Sequence, residues 1–440
     1  MKRGGLLTVL MLLGLAGGAA VGQVLLFNEH ATLPDSHWMR SAGELILVRP
    51  LMLLVAPLVL AGMVVAVARI GESLRLAVVA SATLLYFLAT MLLAVIVGAA
   101  LVEIARPGEG FSPALAARLQ ADGTEAYIES ESVRAQIEIV KDHSVSDAWK
   151  DLLHTLVPTN VVTELMSVRP LGVLLFGLLL GLALAASGER GAVVVAFFEG
   201  LLAALIIVAR WIAWLAPAGL FLLVAWTVGR IGLGELVGPL TRYLQVVIGG
   251  LAVHGLLVLP AILFVFGRTD PFAYMWKMRR ALLVAFGTSS SAATLPMTVE
   301  SAVSDGGCST RAAGFVVPLG AMVNLNGTAL YETVAVVFLF QFFGVTLDFA
   351  QILVVAVTAA LAAVGTAGIP SAGLVAMALV ITSVNRTLPA DVSPLPLTAI
   401  GVILAVDRIV DMCRTTVNVW GDAVGAKIMT KLAPDETPKA

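Results

Sequence analysis

The sequence predicts an all-α integral membrane protein, and three observations carry that reading. Hydrophobic residues make up 59% of the 440-residue chain and charged residues 13%, with a mean hydropathy of +0.98, whereas soluble domains carry about 25% charge. A succession of apolar runs is long enough to cross a bilayer, which takes about 20 helical residues. Two late apolar runs are interrupted at their centres by Gly, Pro, Ser and Thr, at 287–296 and 365–373. The net charge of −2 offers nothing to a nucleic acid. Cys308 and Cys413 form no CxxC motif or disulfide framework, and Cys413 reads as a small packing residue.

The runs at 5–27, 43–69 and 76–104 read as three spanning helices. Lys2 and Arg3 begin a stretch resembling a signal peptide, but its apolar run continues through Leu26 and Phe27, long enough to span as a retained helix. Basic residues favour the cytoplasmic side, so both termini are placed there, with Arg69 and Arg75 bracketing the second inside turn. From Glu103 to Asp151 the chain carries ten acids and five bases, suiting an external loop at 105–152 with no assigned chemistry. LHTLVPTNVVTEL re-enters the membrane with a break at Pro158 and Asn160 before the apolar run 170–187. Segments 191–228 and 235–267 follow, the first kinked near Pro217 and Gly219; Arg210 and His254 within them read as snorkelling or packing residues. Arg268, Lys277, Arg279 and Arg280 mark a cytoplasmic edge.

Beyond that edge the pattern changes. GTSSSAATLP (287–296) and GTAGIPSAG (365–373) cannot continue regular helices, because Gly costs about 1 and Pro about 3 kcal/mol in a helix interior. Irregular backbone at membrane depth needs protein or a water-filled cavity around it, so each reads as the tip of a re-entrant hairpin. A polar-marked helix follows each tip: NLNGTALYE (324–332) after the first and DRIVDMCRTTVNVWGD (407–422) after the second. Such paired interruptions in corresponding halves point to a transporter's midplane binding site.

The last stretch is the chemical centre. At about 100° per residue, Asp407, Asp411, Arg414, Thr415, Asn418 and Asp422 fall within an arc of roughly 100°. Ile409, Val410, Met412, Val417 and Trp420 cover much of the remaining surface. Intramembrane charges mark ion or substrate paths. A purely structural Arg414–Asp411 pair is the competing reading, and it leaves the other carboxylates and Asn418 unexplained.

In this order, GTSSSAATLPMT, NLNGTALYE, GTAGIPSAG and DRIVDMCRTTVNVWGD resemble the glutamate/aspartate transporters of the dicarboxylate/amino acid:cation symporter family. PLVLAGMVV and LVPTN extend the resemblance over most of the chain, with the loop at 105–152 outside it. The resemblance implies eight transmembrane helices, two re-entrant helical hairpins, inverted repeats and an elevator-type mechanism in a homotrimer. It implies scaffold helices 1–3 at 1–104 (the third partly in the transport domain), scaffold helices 4 and 5 at 153–228, and a transport domain at 229–440. That domain would hold helix 6, hairpin 1 near 271–304, helix 7 near 309–342, hairpin 2 near 348–382 and helix 8 near 394–430. A multi-pass protein of a plasma membrane, a bacterial inner membrane, is expected.

By the same resemblance, Arg414 would grip the side-chain carboxylate of an acidic amino acid and Asp411 its ammonium, with Thr415 and Asn418 holding the α-substituents. Thr328 and Gly373 would border the side-chain carboxylate, while Ser290, Ser291 and Gly368 close the cavity. For the serines, a plain polar hairpin tip is the competing reading. Asp422, Asn418 and Asn324 would form a Na+ site, and Asn326, Thr90 and Thr366 fall at further Na+ positions. No resident cofactor is implied; Na+ and/or H+ would be the coupling cation, and membrane lipid and two further copies of the chain the partners.

Sodium-coupled relatives usually read Asn-Met-Asp-Gly-Thr where this chain has Asn324-Leu325-Asn326-Gly327-Thr328. Phe87 and Met91 align with a Tyr and a Ser/Thr ligand of the same deep site, Thr90 survives, and Ala363 replaces a serine near another. Fewer coupled Na+ are therefore expected, with protons as substitutes. An intramembrane hydrolase using Ser290 or Ser291 has no histidine near that motif, so no enzyme is expected. A substrate-gated anion channel, a C4-dicarboxylate transporter and a neutral amino acid transporter remain the alternatives.

Overall fold

A computed structural model describes residues 3–27, 33–34, 37–70, 73–112, 116–117, 119–121, 124, 159–166, 170–231, 240–365, 372–389 and 392–435. All regular elements among them are helical. Among the described residues, five helical spans are long and apolar enough to cross a membrane: Val9–Leu26, Ala77–Ala105, Glu189–Ala209, Thr241–Gly267 and Thr310–Phe342. Most of the loop at 105–152, with the tip of the second interrupted run, lies outside the described residues.

The first part of the chain contains α1 (Arg3–Val21), α2 (Trp38–Gly43), α3 (Arg49–Ile70), α4 (Ser73–Ala105), α5 (Val161–Met166), α6 (Pro170–Ala186), α7 (Glu189–Ala213) and α8 (Ala216–Ile231). Gly14, Gly18 and Gly22 lie one turn apart and rest on the backbone of α8; a Cβ at each would come within 2.4, 2.5 and 2.6 Å of the carbonyl oxygens of Pro217, Phe221 and Ala225. Small residues permit such close approach where no hydrophobic effect drives helices together. The expected kink near Pro217 and Gly219 is instead a break at Trp214 and Leu215. Pro217 becomes the second residue of α8, where an N–H would lack a helical acceptor anyway.

The second part runs through α9 (Thr241–Val253), α10 (Leu259–Ile262), α11 (Pro271–Thr288), α12 (Ser291–Ser304), α13 (Thr310–Val323), α14 (Asn326–Phe342), α15 (Phe349–Gly365), α16 (Ala372–Asn385) and α17 (Gly401–Met429). Asp270 caps α11 by accepting from the N–H groups of Phe272 and Ala273, with Pro271 in the first turn. α11 packs on α12 and α15 on α16, so each interrupted run becomes a helix pair. α12 also packs against α3 and α7, and α14 against α4.

Two buried apolar clusters divide this part. One joins α3 and α11–α13 with the end of α17; the other joins α9 and α14–α16 with its beginning. Val417 packs against both. The polar stripe of α17 therefore lies along the line where the two halves meet.

Candidate functional site

The line Thr310–Phe342 is not one helix. Asn324 (φ −93°, ψ 60°) and Leu325 (φ −90°, ψ 53°) leave helical geometry, separating α13 from α14 in a nearly fully buried stretch. The first donors of α14 then lack helical acceptors. Asn418 of α17 supplies one: its Oδ1 accepts from the Gly327 N–H at 2.7 Å and more weakly from the Thr328 N–H at 3.4 Å. Its Nδ2 donates to Thr328 Oγ1 at 3.0 Å, so one side chain ties the broken helix to the polar stripe.

Below this tie lies an amide-rich cluster. Asn324 Nδ2 donates to Asp422 Oδ1 at 3.0 Å, and the Thr90 hydroxyl lies 3.1 Å from Asn324 Oδ1. Tyr86, on α4, donates to the Gly421 carbonyl at 2.7 Å. Asn326 Oδ1 accepts from the Gly327 N–H at 2.8 Å, while its Nδ2 is buried without an acceptor.

Above the tie, Arg414 Nε donates to Asp411 Oδ1 at 2.9 Å, and Thr415 Oγ1 lies 3.5 Å from that oxygen. The guanidinium carbon sits 4.9 Å from the centroid of the Tyr331 ring, whose hydroxyl donates to Asp407. Arg414 Nη1 is buried and has no partner. A Cβ at Gly373 would stand 1.8 Å from that nitrogen, so the fork lies directly on the Gly373 backbone. The result is a fixed cation with an unfilled donor, a carboxylate one turn away and a hydroxyl-lined floor at Thr328. A guanidinium fork of this kind can receive a carboxylate, and a neighbouring carboxylate can receive a cation.

The structure thus gathers Arg414, Asp411, Thr415, Asn418, Thr328 and Gly373 at one end, and Asp422, Asn324, Asn326 and Thr90 at the other. At the turn between α11 and α12, Ser289 is left-handed (φ 52°), and Ser290 is the helix cap of α12, its hydroxyl accepting from the Ala293 N–H at 3.1 Å. Ser291 opens α12 half-buried. Gly368 and Thr366 lie outside the described residues.

Sequence reasoning gave no role to several buried polar groups. Glu332 is fully buried in α14 with neither carboxyl oxygen hydrogen-bonded, although it ends the quoted NLNGTALYE run. Arg280, expected as an edge charge, is buried and pairs with Glu300 at 3.0 Å and with Asp305, bridging α11 to α12 and the turn beyond it. A lone carboxylate in each apolar run was the available signal. His254 is fully buried with neither ring nitrogen hydrogen-bonded, a packing position.

The sequence profile of the sodium:dicarboxylate symporter family matches residues 7–432. A neutral amino acid transporter B(0) from Bos taurus is 33% identical over 414 residues, covering 88% of this chain and 72% of the relative. An excitatory amino acid transporter 1 from Ambystoma tigrinum is 33% identical over 454 residues, covering 94% and 82%. An excitatory amino acid transporter 3 from Mus musculus is 32% identical over 449 residues, covering 95% and 84%.

Proposed function

The chain belongs to the sodium:dicarboxylate symporter family, and from that premise we propose that it is a secondary active symporter of aspartate or glutamate. Transport is coupled to Na+ and/or H+. The relatives carry both neutral and excitatory amino acid transporter names, so their names do not choose the substrate.

The observation that carries the choice is the Arg414–Asp411 pair with its unfilled Nη1. A neutral amino acid leaves that buried donor unanswered, at a cost of several kcal/mol. A C4-dicarboxylate lacks the ammonium that Asp411 would receive. An acidic amino acid answers both, with its side-chain carboxylate on the Arg414 fork beside Thr328 and Gly373 and its ammonium at Asp411. Thr415 and Asn418 hold the α-substituents, and Ser290, Ser291 and Gly368 belong to the closing tips. One cation is held around Asp422 with Asn324 and Asn418.

The architecture proposed with this function has eight spanning helices, two re-entrant hairpins (α11–α12 and α15–α16), a trimer of scaffolds and an elevator motion of the 229–440 half. The proposed location is a bacterial inner membrane with both termini cytoplasmic. A monodisperse monomer that transports after reconstitution overturns the trimer.

Radiolabelled aspartate uptake into proteoliposomes, with Na+ and pH gradients imposed one at a time, tests the function. Concentrative uptake under a cation gradient supports it. Conductance without gradient-driven accumulation favours the substrate-gated anion channel, and alanine or succinate accumulating in place of aspartate removes the substrate reading.

A further inference from the structure

Building on the symporter reading, we propose that the Asn326 carboxamide permanently occupies the place of a further co-transported cation between α14 and α17, so that the point beside Gly421, unlike the site around Asp422, takes no Na+. Asn326 is fully buried, and the group left over is a donor, Nδ2. A Cβ at Gly421 would lie 2.5 Å from Asn326 Nδ2 and 3.1 Å from Asn324 Nδ2, so two NH2 groups converge on the α17 backbone at this point. Amide nitrogens present hydrogens only, and two of them aimed at one spot oppose a positive ion.

The orientation is fixed locally. Oxygen and nitrogen of a carboxamide are exchangeable by a flip, but flipping Asn326 would set its NH2 against the Gly327 N–H that now donates to Oδ1 at 2.8 Å.

The surrounding oxygens already take part in hydrogen bonds. The Gly421 carbonyl accepts from Tyr86, Asp422 Oδ1 from Asn324, and Asn418 Oδ1 from Gly327. Thr90 Oγ1 lies 2.9 and 3.1 Å from the Tyr86 and Phe87 carbonyls, back on its own helix. The other nearby α4 side chains are Phe87 and Met91, 1% and 4% exposed, which offer no oxygen. A hard cation needs several oxygen ligands, and beside Asn326 an amide nitrogen, a phenyl ring and a thioether stand in place of three of them.

In consequence α14 and α17 stay tied through Asn418, with the Asn326 amide fixed beside Gly421, whether or not Na+ is present, and coupling is confined to groups outside Asn326.

The test is the Na+ dependence of aspartate affinity, by calorimetry at constant ionic strength, in the wild type and in Asn326→Asp alone and with Phe87→Tyr and Met91→Ser. The number of ions taken up with substrate is the log–log slope, so a tenfold change in Na+ shifts the dissociation constant about tenfold per ion. The wild type is expected to shift by about 100-fold or less, and the triple variant by about tenfold more than the wild type. A wild-type shift of about 1,000-fold, or equal slopes in wild type and triple variant, overturns the proposal. Should the variants fail to fold, the wild-type slope decides alone. Substrate-free thermal unfolding against Na+ is read in parallel. If aspartate does not bind at all, the symporter substrate is wrong, yet a larger Na+-induced Tm rise in the triple variant still supports the ion inference, and an equal rise overturns it.

Discussion

Tyr331 serves Asp407 and Arg414 at once: its hydroxyl donates to the carboxylate, and its ring face carries the guanidinium 4.9 Å from the centroid. Tyr331→Phe keeps the ring and removes the donor. A hydrogen bond to a charged group contributes about 1.5–3 kcal/mol, so aspartate affinity is expected to fall roughly tenfold with the fold retained. Calorimetric titration checks this; affinity unchanged within twofold removes Tyr331 from the positioning of Arg414.

Arg414→Cys removes the fork and leaves Asp411 half-buried beside Thr415. Breaking a buried pair costs about 3–5 kcal/mol, so aspartate and glutamate binding should weaken by about 100-fold or more. Small neutral amino acids, whose ammonium still finds Asp411, should gain. Competition against radiolabelled substrate measures both, and aspartate affinity within a few-fold of wild type overturns the role assigned to Arg414.

Gly373→Ala places a Cβ where Arg414 Nη1 now lies, 1.8 Å away. The yielding atom is the end of a long side chain, and Ala is favoured over Gly in a helix by about 1 kcal/mol. Stability should therefore change by less than about 1 kcal/mol, while aspartate binding drops more than tenfold. In an Arg414→Cys background the same substitution should add almost nothing, because the two act on one contact. Full additivity would show that Gly373 acts elsewhere.

The polar arc of α17 was legible in the sequence because six polar side chains at helical spacing in an apolar run make one continuous face. The sequence also located the turn within 287–296, since Gly and Pro mark where a helix cannot continue, but not the break at Asn324–Leu325, where one helix is expected over 309–342. The partners across helices were not legible in the same way. The tie from Asn418 to Gly327 and Thr328 spans about 90 positions of chain, and no local pattern encodes such a contact. Arg280 looked like one of several edge charges because its pairing with Glu300 depends on how α11 folds back on α12. The break at Trp214 precedes its proline for a similar reason: a proline stands comfortably inside the first turn of the next helix.

That Arg280–Glu300 pair predicts a stability effect. Glu300→Gln leaves Arg280 with Asp305 alone, and Asp305 is more exposed. A loss of about 2 kcal/mol is expected, read as a lower Tm in detergent with aspartate affinity unchanged. A Tm equal to wild type means Asp305 compensates fully.

Glu332 supports the last prediction. Coupling to protons needs a buried group that gains and loses one, and Glu332 is a carboxyl in α14 with both oxygens free of hydrogen bonds. It follows Tyr331 directly in the chain, within the helix whose first turn Asn418 holds. Glutamine matches its shape and cannot ionise, so Glu332→Gln should fold with Tm near or above that of wild type, because an isolated buried carboxylate is costly and an amide less so. Aspartate binding at fixed pH should persist, since Glu332 is not among the groups assigned to substrate. What should disappear is the response of aspartate uptake to an imposed pH gradient across proteoliposomes, measured at constant membrane potential. If the variant responds to the gradient as the wild type does, the proton is carried elsewhere; if neither responds, coupling rests on Na+ alone and Glu332 is a structural burial.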